Sequence, residues 1–270
     1  MLVNGKSGKL ISIRDRGLLY GDGVFRTLLA RAGHALHSQL HLQKIQQDCA
    51  KLGIVCPALS RLSDELHEVL VAHPDGIIKL IVTRGQGARG YAPPHAASPT
   101  HIWDVAPAPE YPGEWAASGV ALHVCDTRLS EQPRLAGIKH LNRLENVLAA
   151  AEWSDAQIAE GLMLDAAGHV IEGTRSNLFM VRDGQLTTPD LSRCGVAGVQ
   201  RDRVIAYAAA RSISVQIRDV TLAEVLDADE LFLVNSVIGV WPVRLLAERR
   251  WSTFPFVKRL QQLDEQENPA

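Results

Sequence analysis

Two hydrophobic periods alternate along this chain. From Leu42 the apolar residues Leu42, Ile45, Cys49 and Leu52 recur at spacings of three and four, which is one face of a helix, and Gly53 ends the run. A second helix is predicted from Leu59 to Val71. Runs rich in β-branched residues and bounded by turn formers, VFRTLLA, GIIKLIVTRG and HIWDVA, predict strands. At the start, LVNGK and LISIR read as two short strands joined by a turn, and the glycine-rich DRGLLYGDG breaks the pattern before VFRTLLA.

The segment APAPEYPGE carries three prolines and a glycine in nine residues and reads as a connector. It divides the chain into a domain over 1–106, a connector over 107–114 and a second domain over 115–270. Beyond it, GVALHVC predicts a strand, and HLNRLENVLAAAEW a helix with Leu141, Leu144, Leu148 and Ala151 on one face. GLMLD, HVIEG, NLFMV and QLTTP predict four strands separated by turn formers. VQRDRVIAYAAARS is a helix, SVQIRDV and ELFLVNS are strands, Phe254 to Leu263 is a last helix, and QENPA a frayed tail.

The composition, 46% hydrophobic and 21% charged over 270 residues, supports a buried core throughout. A formal charge of −2 gives no general reason to bind nucleic acid or an anionic membrane, so any anion site must be local. Cys49, Cys56, Cys125 and Cys194 show neither a CxxC pair nor metal-ligand spacing. MLVNGKSGKL lacks the pattern of a signal peptide, and no 18-residue apolar stretch occurs; a cytoplasmic protein is expected.

Three features of the second half carry candidate chemistry. Lys139, in LAGIKHLNRLE, sits between a short apolar segment and a predicted helix, where partial desolvation and the helix N-terminus would both favour a neutral, Schiff-base-forming amine. Glu172, in HVIEGTRSNLF, ends a strand beside a polar cluster. In GVAGVQRDRV, Gly195 and Gly198 lead into a helix whose first N–H groups, at Val199 and Gln200, suit a phosphate. Taken singly, these read equally as a solvated junction lysine, a hairpin turn and a tight turn.

Together they match a family in order and spacing. EGTRSNLF (172–179), LTT (186–188) and VAGVQR (196–201), with GIKHLNRLENVLA upstream, LVNSVIGVWPV downstream and DRGLLYGDGVFRTL near the start, resemble the class IV aminotransferases, the fold-type IV enzymes of pyridoxal 5′-phosphate (PLP). The resemblance implies an α+β, mixed α/β fold of the D-amino acid aminotransferase-like kind. Its smaller N-terminal α/β domain would precede a larger β-rich PLP-binding domain with flanking helices.

It also implies that Lys139 forms the Schiff base and that Glu172 contacts the pyridine nitrogen and keeps it protonated. The phosphate would be held by Val199, Gln200 and Ser236, with Asn235 adjacent. Where most members carry an arginine in a pattern like HxxRL, this sequence has His41-Leu-Gln-Lys44-Ile45, so Lys44 keeps the charge without the two-pronged geometry. His41, His95 and His140 lie near these predicted sites.

Within the family, GIKHLNRLE is most similar to the aminodeoxychorismate lyases. TRGQGARGY resembles their arginine-bearing loop, so Arg89, or else Arg84, with Tyr91 is the candidate set for a dicarboxylate substrate. Alternation in Val24–Leu28 sets Phe25 and Thr27 on one face and Arg26 on the other, and a threonine like Thr27 lies near the reacting carbon in those lyases. The implied reaction converts 4-amino-4-deoxychorismate to 4-aminobenzoate and pyruvate: Schiff-base formation, removal of the C4 proton by Lys139, elimination of enolpyruvate and reprotonation assisted by Thr27. A homodimer is implied as well. The alternatives are a branched-chain or D-amino acid transaminase of the same fold, or a non-catalytic PLP-binding protein.

Overall fold

The computed structural model describes residues 1–267. They form two compact units, residues 1–109 with 138–142, and residues 110–137 with 143–267.

The first unit contains β1 (Leu2–Val3), β2 (Lys6–Ser7), α1 (Arg16–Tyr20), β3 (Gly23–Arg31), β4 (His34–Ala35), α2 (Ser38–Leu52), α3 (Leu59–Ala72), β5 (Gly76–Thr83) and β6 (Thr100–Ala106). Its sheet runs β2-β1-β6-β5-β3-β4. β3 and β5 pair antiparallel from Gly23↔Thr83 to Ala30↔Gly76. Along β3, Val24, Arg26 and Leu28 are buried while Phe25 and Thr27 are half-buried, which is the predicted alternation. The core joins Val24 and Leu28 to Leu42, Ile45 and Cys49 of α2, to Leu62 and Leu66 of α3, and to Trp103 and Ile138. α2 ends at Gly53 in the left-handed region (φ 63°), where a side chain would be strained.

Residues 138–142, expected in the C-terminal domain, belong to this unit because they add to the edge of β3. The N–H of Phe25 donates to the carbonyl of Lys139 (2.9 Å), and that of Leu141 to the carbonyl of Gly23 (3.0 Å). A Cβ at residue 23 would stand 2.7 Å from the Leu141 side chain and from the Val82 carbonyl, so this pairing requires glycine there.

The second unit contains α4 (Gly113–Ser118), β7 (Val120–Leu129), α5 (Leu144–Ala150), β8 (Ile158–Asp165), β9 (Val170–Gly173), β10 (Asn177–Arg182), β11 (Gln185–Pro189), α6 (Val199–Ala210), β12 (Val215–Arg218), α7 (Leu222–Leu226), β13 (Glu230–Asn235), β14 (Gly239–Leu246), β15 (Arg249–Arg250) and α8 (Pro255–Glu267). The sheet order is β12-β11-β10-β13-β14-β7-β8-β9, with β15 on β14. β11 and β12 are parallel, as the α6 crossover between them demands. Phe179 and Phe232 stack at 5.3 Å in a core shared with Leu178, Leu231 and Trp241.

Several expectations need correction. LISIR forms no strand, and its Leu10 and Ile13 are 87% and 80% exposed. DRGLLYGDG contains a helical turn, α1, whose N-cap Asp15 accepts from the N–H of Gly17. The helix expected from His140 starts only at Leu144, because Lys139 to Leu141 are committed to β3. Leu144 and Leu148, expected to face a core, are 76% and 61% exposed. Of QENPA, Gln266 and Glu267 end α8 and the last three residues lie outside the described chain. No helix among the described residues is long and apolar enough to cross a membrane.

Candidate active site

The candidate residues fall into two clusters, one in each unit. In the first, Lys139 is held by its backbone: its carbonyl pairs with Phe25, and its N–H points at Asp48 Oδ2 (3.4 Å). Asp48 is buried on α2 and ion-paired with Arg26 of β3. The Lys139 ammonium lies 4.8 Å from the centre of the Phe25 ring, and that of Lys79 lies 4.7 Å from the same ring. Lys79 is the β5 partner of Thr27, so Thr27, Phe25, Lys79 and Lys139 form one neighbourhood.

His41, one turn before the half-buried Lys44 on α2, is 3% exposed, and neither ring nitrogen has a hydrogen-bond partner. Burial, then the charges of Arg26, His37, Lys139 and Lys44, push its pKa down to about 3. The neutral imidazole offers one N–H donor and one acceptor nitrogen, and both are buried.

The loop bearing Arg89 is anchored by Arg16, a residue the sequence did not single out. Arg16 is 3% exposed and donates to the carbonyls of Gly90 (3.0 Å), Tyr91 (2.8 Å) and Ala92 (3.4 Å), as well as to Asp22 (2.8 Å). The Tyr20 and Tyr91 rings meet edge to face at 5.4 Å. Arg89 itself is exposed, as are Tyr91 and His95. Arg84 is occupied otherwise: its guanidinium binds Asp22 (2.8 Å) and caps α2 at the carbonyls of Gly53 (2.6 Å) and Leu52 (2.8 Å). That corrects Arg84 as a substrate-binding candidate, since three structural acceptors already hold it. Burial raises the Asp22 pKa, but the hydrogen bonds from Arg84 and Arg16 outweigh it and hold the carboxyl below the usual range.

In the second unit, Glu172 ends β9 at 3% exposure. Its Oε2 accepts from the Val196 N–H (2.8 Å) and from Asn177 Nδ2 (3.4 Å). The turn after it is held from below by Glu160, fully buried on β8, which accepts from the Arg175 N–H (2.8 Å) and the Ser176 hydroxyl (2.8 Å). Burial, only partly countered by Arg175, pushes the Glu160 carboxyl up. Asn235 Nδ2 donates to the Arg175 carbonyl (3.2 Å), and its Oδ1 accepts from the N–H groups of Val237 (2.8 Å) and Ile238 (2.9 Å). The half-buried Ser236 is thereby set beside the same turn.

α6 begins after Gly198 with no side-chain cap, and Val199 and Gln200 are buried in its first turn. Arg143, at the start of α5, is a cation the sequence reading missed. Burial lowers its pKa against the opposing charges of Glu172 and Glu145, and its Asn146 neighbour donates to the Thr174 carbonyl (2.9 Å).

The mixed two-unit fold, with the half-buried Lys139 on a strand edge in one unit and the buried Glu172 near the start of α6 in the other, is that of the fold-type IV enzymes. In solved form, 4-amino-4-deoxychorismate lyase from Pseudomonas aeruginosa has this fold with a TM-score of 0.96 and 49% identity, covering 100% of this chain and 99% of that one. Residues 23–246 match the family described as amino-transferase class IV, and the chain belongs to that family. Among relatives, aminodeoxychorismate lyase of Vibrio harveyi is 39% identical over 241 residues, 89% of each chain. A putative branched-chain-amino-acid aminotransferase of Methanocaldococcus jannaschii is 34% identical over 244 residues, 89% of this chain and 84% of its own.

Proposed function

We propose that this chain is a PLP-dependent lyase that converts 4-amino-4-deoxychorismate to 4-aminobenzoate and pyruvate. The observation that carries the reading is its 49% identity, over the full length, to the Pseudomonas aeruginosa lyase. The residues suit the cofactor. The positive charge of the half-buried Lys44 answers to a phosphate, and the buried, hydrogen-bonded Glu172 answers to a protonated pyridine nitrogen.

When bound, PLP supplies an electron sink for the carbon next to the substrate amine. The side chains do the rest. Lys139 binds the cofactor covalently and its amine moves the C4 proton, while Thr27, on the face of β3 that carries Phe25, orients that proton. Val199, Gln200 and Ser236 are the phosphate-binding groups of the second unit and Lys44 that of the first, and Asn235 fixes the Ser236 turn. Arg89 with Tyr91 binds a substrate carboxylate on the loop that Arg16 anchors. A homodimer belongs to the same reading; the outward Leu144, Val147 and Leu148 of α5 supply apolar surface for a second copy to cover.

Incubation of the PLP-loaded protein with 4-amino-4-deoxychorismate tests the reading. Pyruvate and 4-aminobenzoate released in equal amounts are expected. Transfer of the glutamate amino group to a branched-chain 2-oxo acid, with neither product formed, would replace the lyase by the transaminase.

A further inference from the structure

The side chain of Asn177, 5% exposed at the start of β10, joins groups that the cofactor reading assigns to opposite ends of PLP. Its Nδ2 donates to Glu172 Oε2 (3.4 Å) and to the Val196 carbonyl (2.8 Å), while its Oδ1 accepts from the Gly198 N–H (3.1 Å). The Val196 N–H donates to the same Glu172 oxygen (2.8 Å), so the four residues form a closed hydrogen-bonded set. Its chemistry fixes the amide orientation. A flipped Asn177 would turn its oxygen toward the Glu172 carboxylate and the Val196 carbonyl, and its NH₂ toward the Gly198 N–H. A Cβ on Gly198, the N-cap of α6, would stand 2.5 Å from Asn177 Oδ1, so the helix can begin this close only on glycine.

We propose that Asn177 is a positioning residue that couples the Glu172 carboxylate to the N-terminus of α6, so that one side chain sets both the ring end and the phosphate end of the PLP site. The proposal rests on the PLP reading above. Removing the amide takes from Glu172 Oε2 one of its donors, leaving the Val196 N–H, strips the Val196 carbonyl of its donor and takes the acceptor from the Gly198 N–H.

The test titrates the full-length chain with PLP, with pyridoxal, which lacks the phosphate, and with inorganic phosphate, which lacks the ring. Asn177→Asp keeps an acceptor for Gly198 but sets a carboxyl oxygen against Glu172. It is expected to raise the Kd for pyridoxal about tenfold and leave that for inorganic phosphate within about twofold. Asn177→Ala removes all three contacts and weakens both probes. If Asn177→Asp weakens both probes equally, or shifts pyridoxal by less than about twofold, the assignment is overturned.

Should the aspartate variant not fold, a cycle of Asn177→Ala with Glu172→Gln decides. The alanine should weaken pyridoxal much less in the glutamine background than in the wild type, whereas independent, multiplying effects overturn the coupling. A wild type that takes up no PLP refutes the cofactor reading and this proposal with it. A wild type that takes up PLP while its variants match it refutes the proposal alone.

Discussion

The lysine cluster of the first unit and the glutamate cluster of the second solve opposite electrostatic problems. Around Glu172 carboxylates and amides hold one another: Glu160 Oε1 holds the turn, Asn177 the carboxylate and Asn235 the neighbouring turn, while Glu160 Oε2 makes no hydrogen bond and faces Arg175 Nε at 3.5 Å. Around Lys139 the protein gathers Lys44, Lys79 and Arg26, and leaves both nitrogens of His41 without a partner. The glutamate cluster is therefore a preformed mould. The lysine cluster crowds cations round the neutral His41, with Asp48 ion-paired to Arg26 among them.

The largest expected contrast comes from Lys139→Ala and Glu172→Gln. The alanine should lower turnover by about 10³-fold or more and abolish borohydride-trapped PLP, because the bond-forming amine is gone. The glutamine should lower turnover by about 10²-fold while trapping persists, since it changes only an electrostatic contact. Loss of trapping in Glu172→Gln, read by mass spectrometry of the reduced protein, would break the comparison.

A smaller effect separates the clusters by stability. Glu160→Gln keeps one acceptor for the Arg175 N–H and the Ser176 hydroxyl but brings an NH₂ group toward the Arg175 guanidinium. The expected loss is about 1–3 kcal/mol in urea unfolding. The same measurement on Lys44→Gln, at a half-buried helix position, should show a loss below about 1 kcal/mol; a loss as large as that of Glu160→Gln would break the contrast.

The smallest effect at neutral pH is the clearest in acid. The folded chain keeps His41 neutral down to about pH 3, whereas the unfolded chain protonates it near the ordinary histidine value of about 6.5. The unfolded state thus binds more protons in that window, and stability falls as pH drops from about 6.5 toward 3. His41→Gln should flatten the slope of thermal midpoint against pH there. An unchanged slope would remove His41 as its source.

Much of this was legible before the fold was seen. Strands β7 to β13 and helices α6 and α8 followed from periodicity and turn formers, while Lys139, Glu172 and the start of α6 were singled out by resemblance to the class IV family. What escaped depends on partners distant in sequence. Arg16 gains its role from residues 74 to 76 positions away, and Glu160 from a turn 15 positions on. The helix before Leu144 was misread because its pattern is genuinely helical, yet pairing with β3 outbid local propensity over Lys139 to Leu141. Exposure of Leu10 and Ile13 defeats any rule that treats apolar runs as strands. α7 carried its own signal, the capping box of Thr221 and Glu224, which was overlooked.

The strand edge supplied by residues 138–142 also sets a timetable for synthesis. A ribosome that has released only the first hundred or so residues has made every helix of the first unit, yet the Gly23–Phe25 edge of β3 still waits for its neighbour. An open edge of this kind is where nascent chains mispair. The peptide that closes it is the one that carries Lys139, so the nascent chain completes its first sheet and acquires the lysine proposed to bind the cofactor in the same few residues.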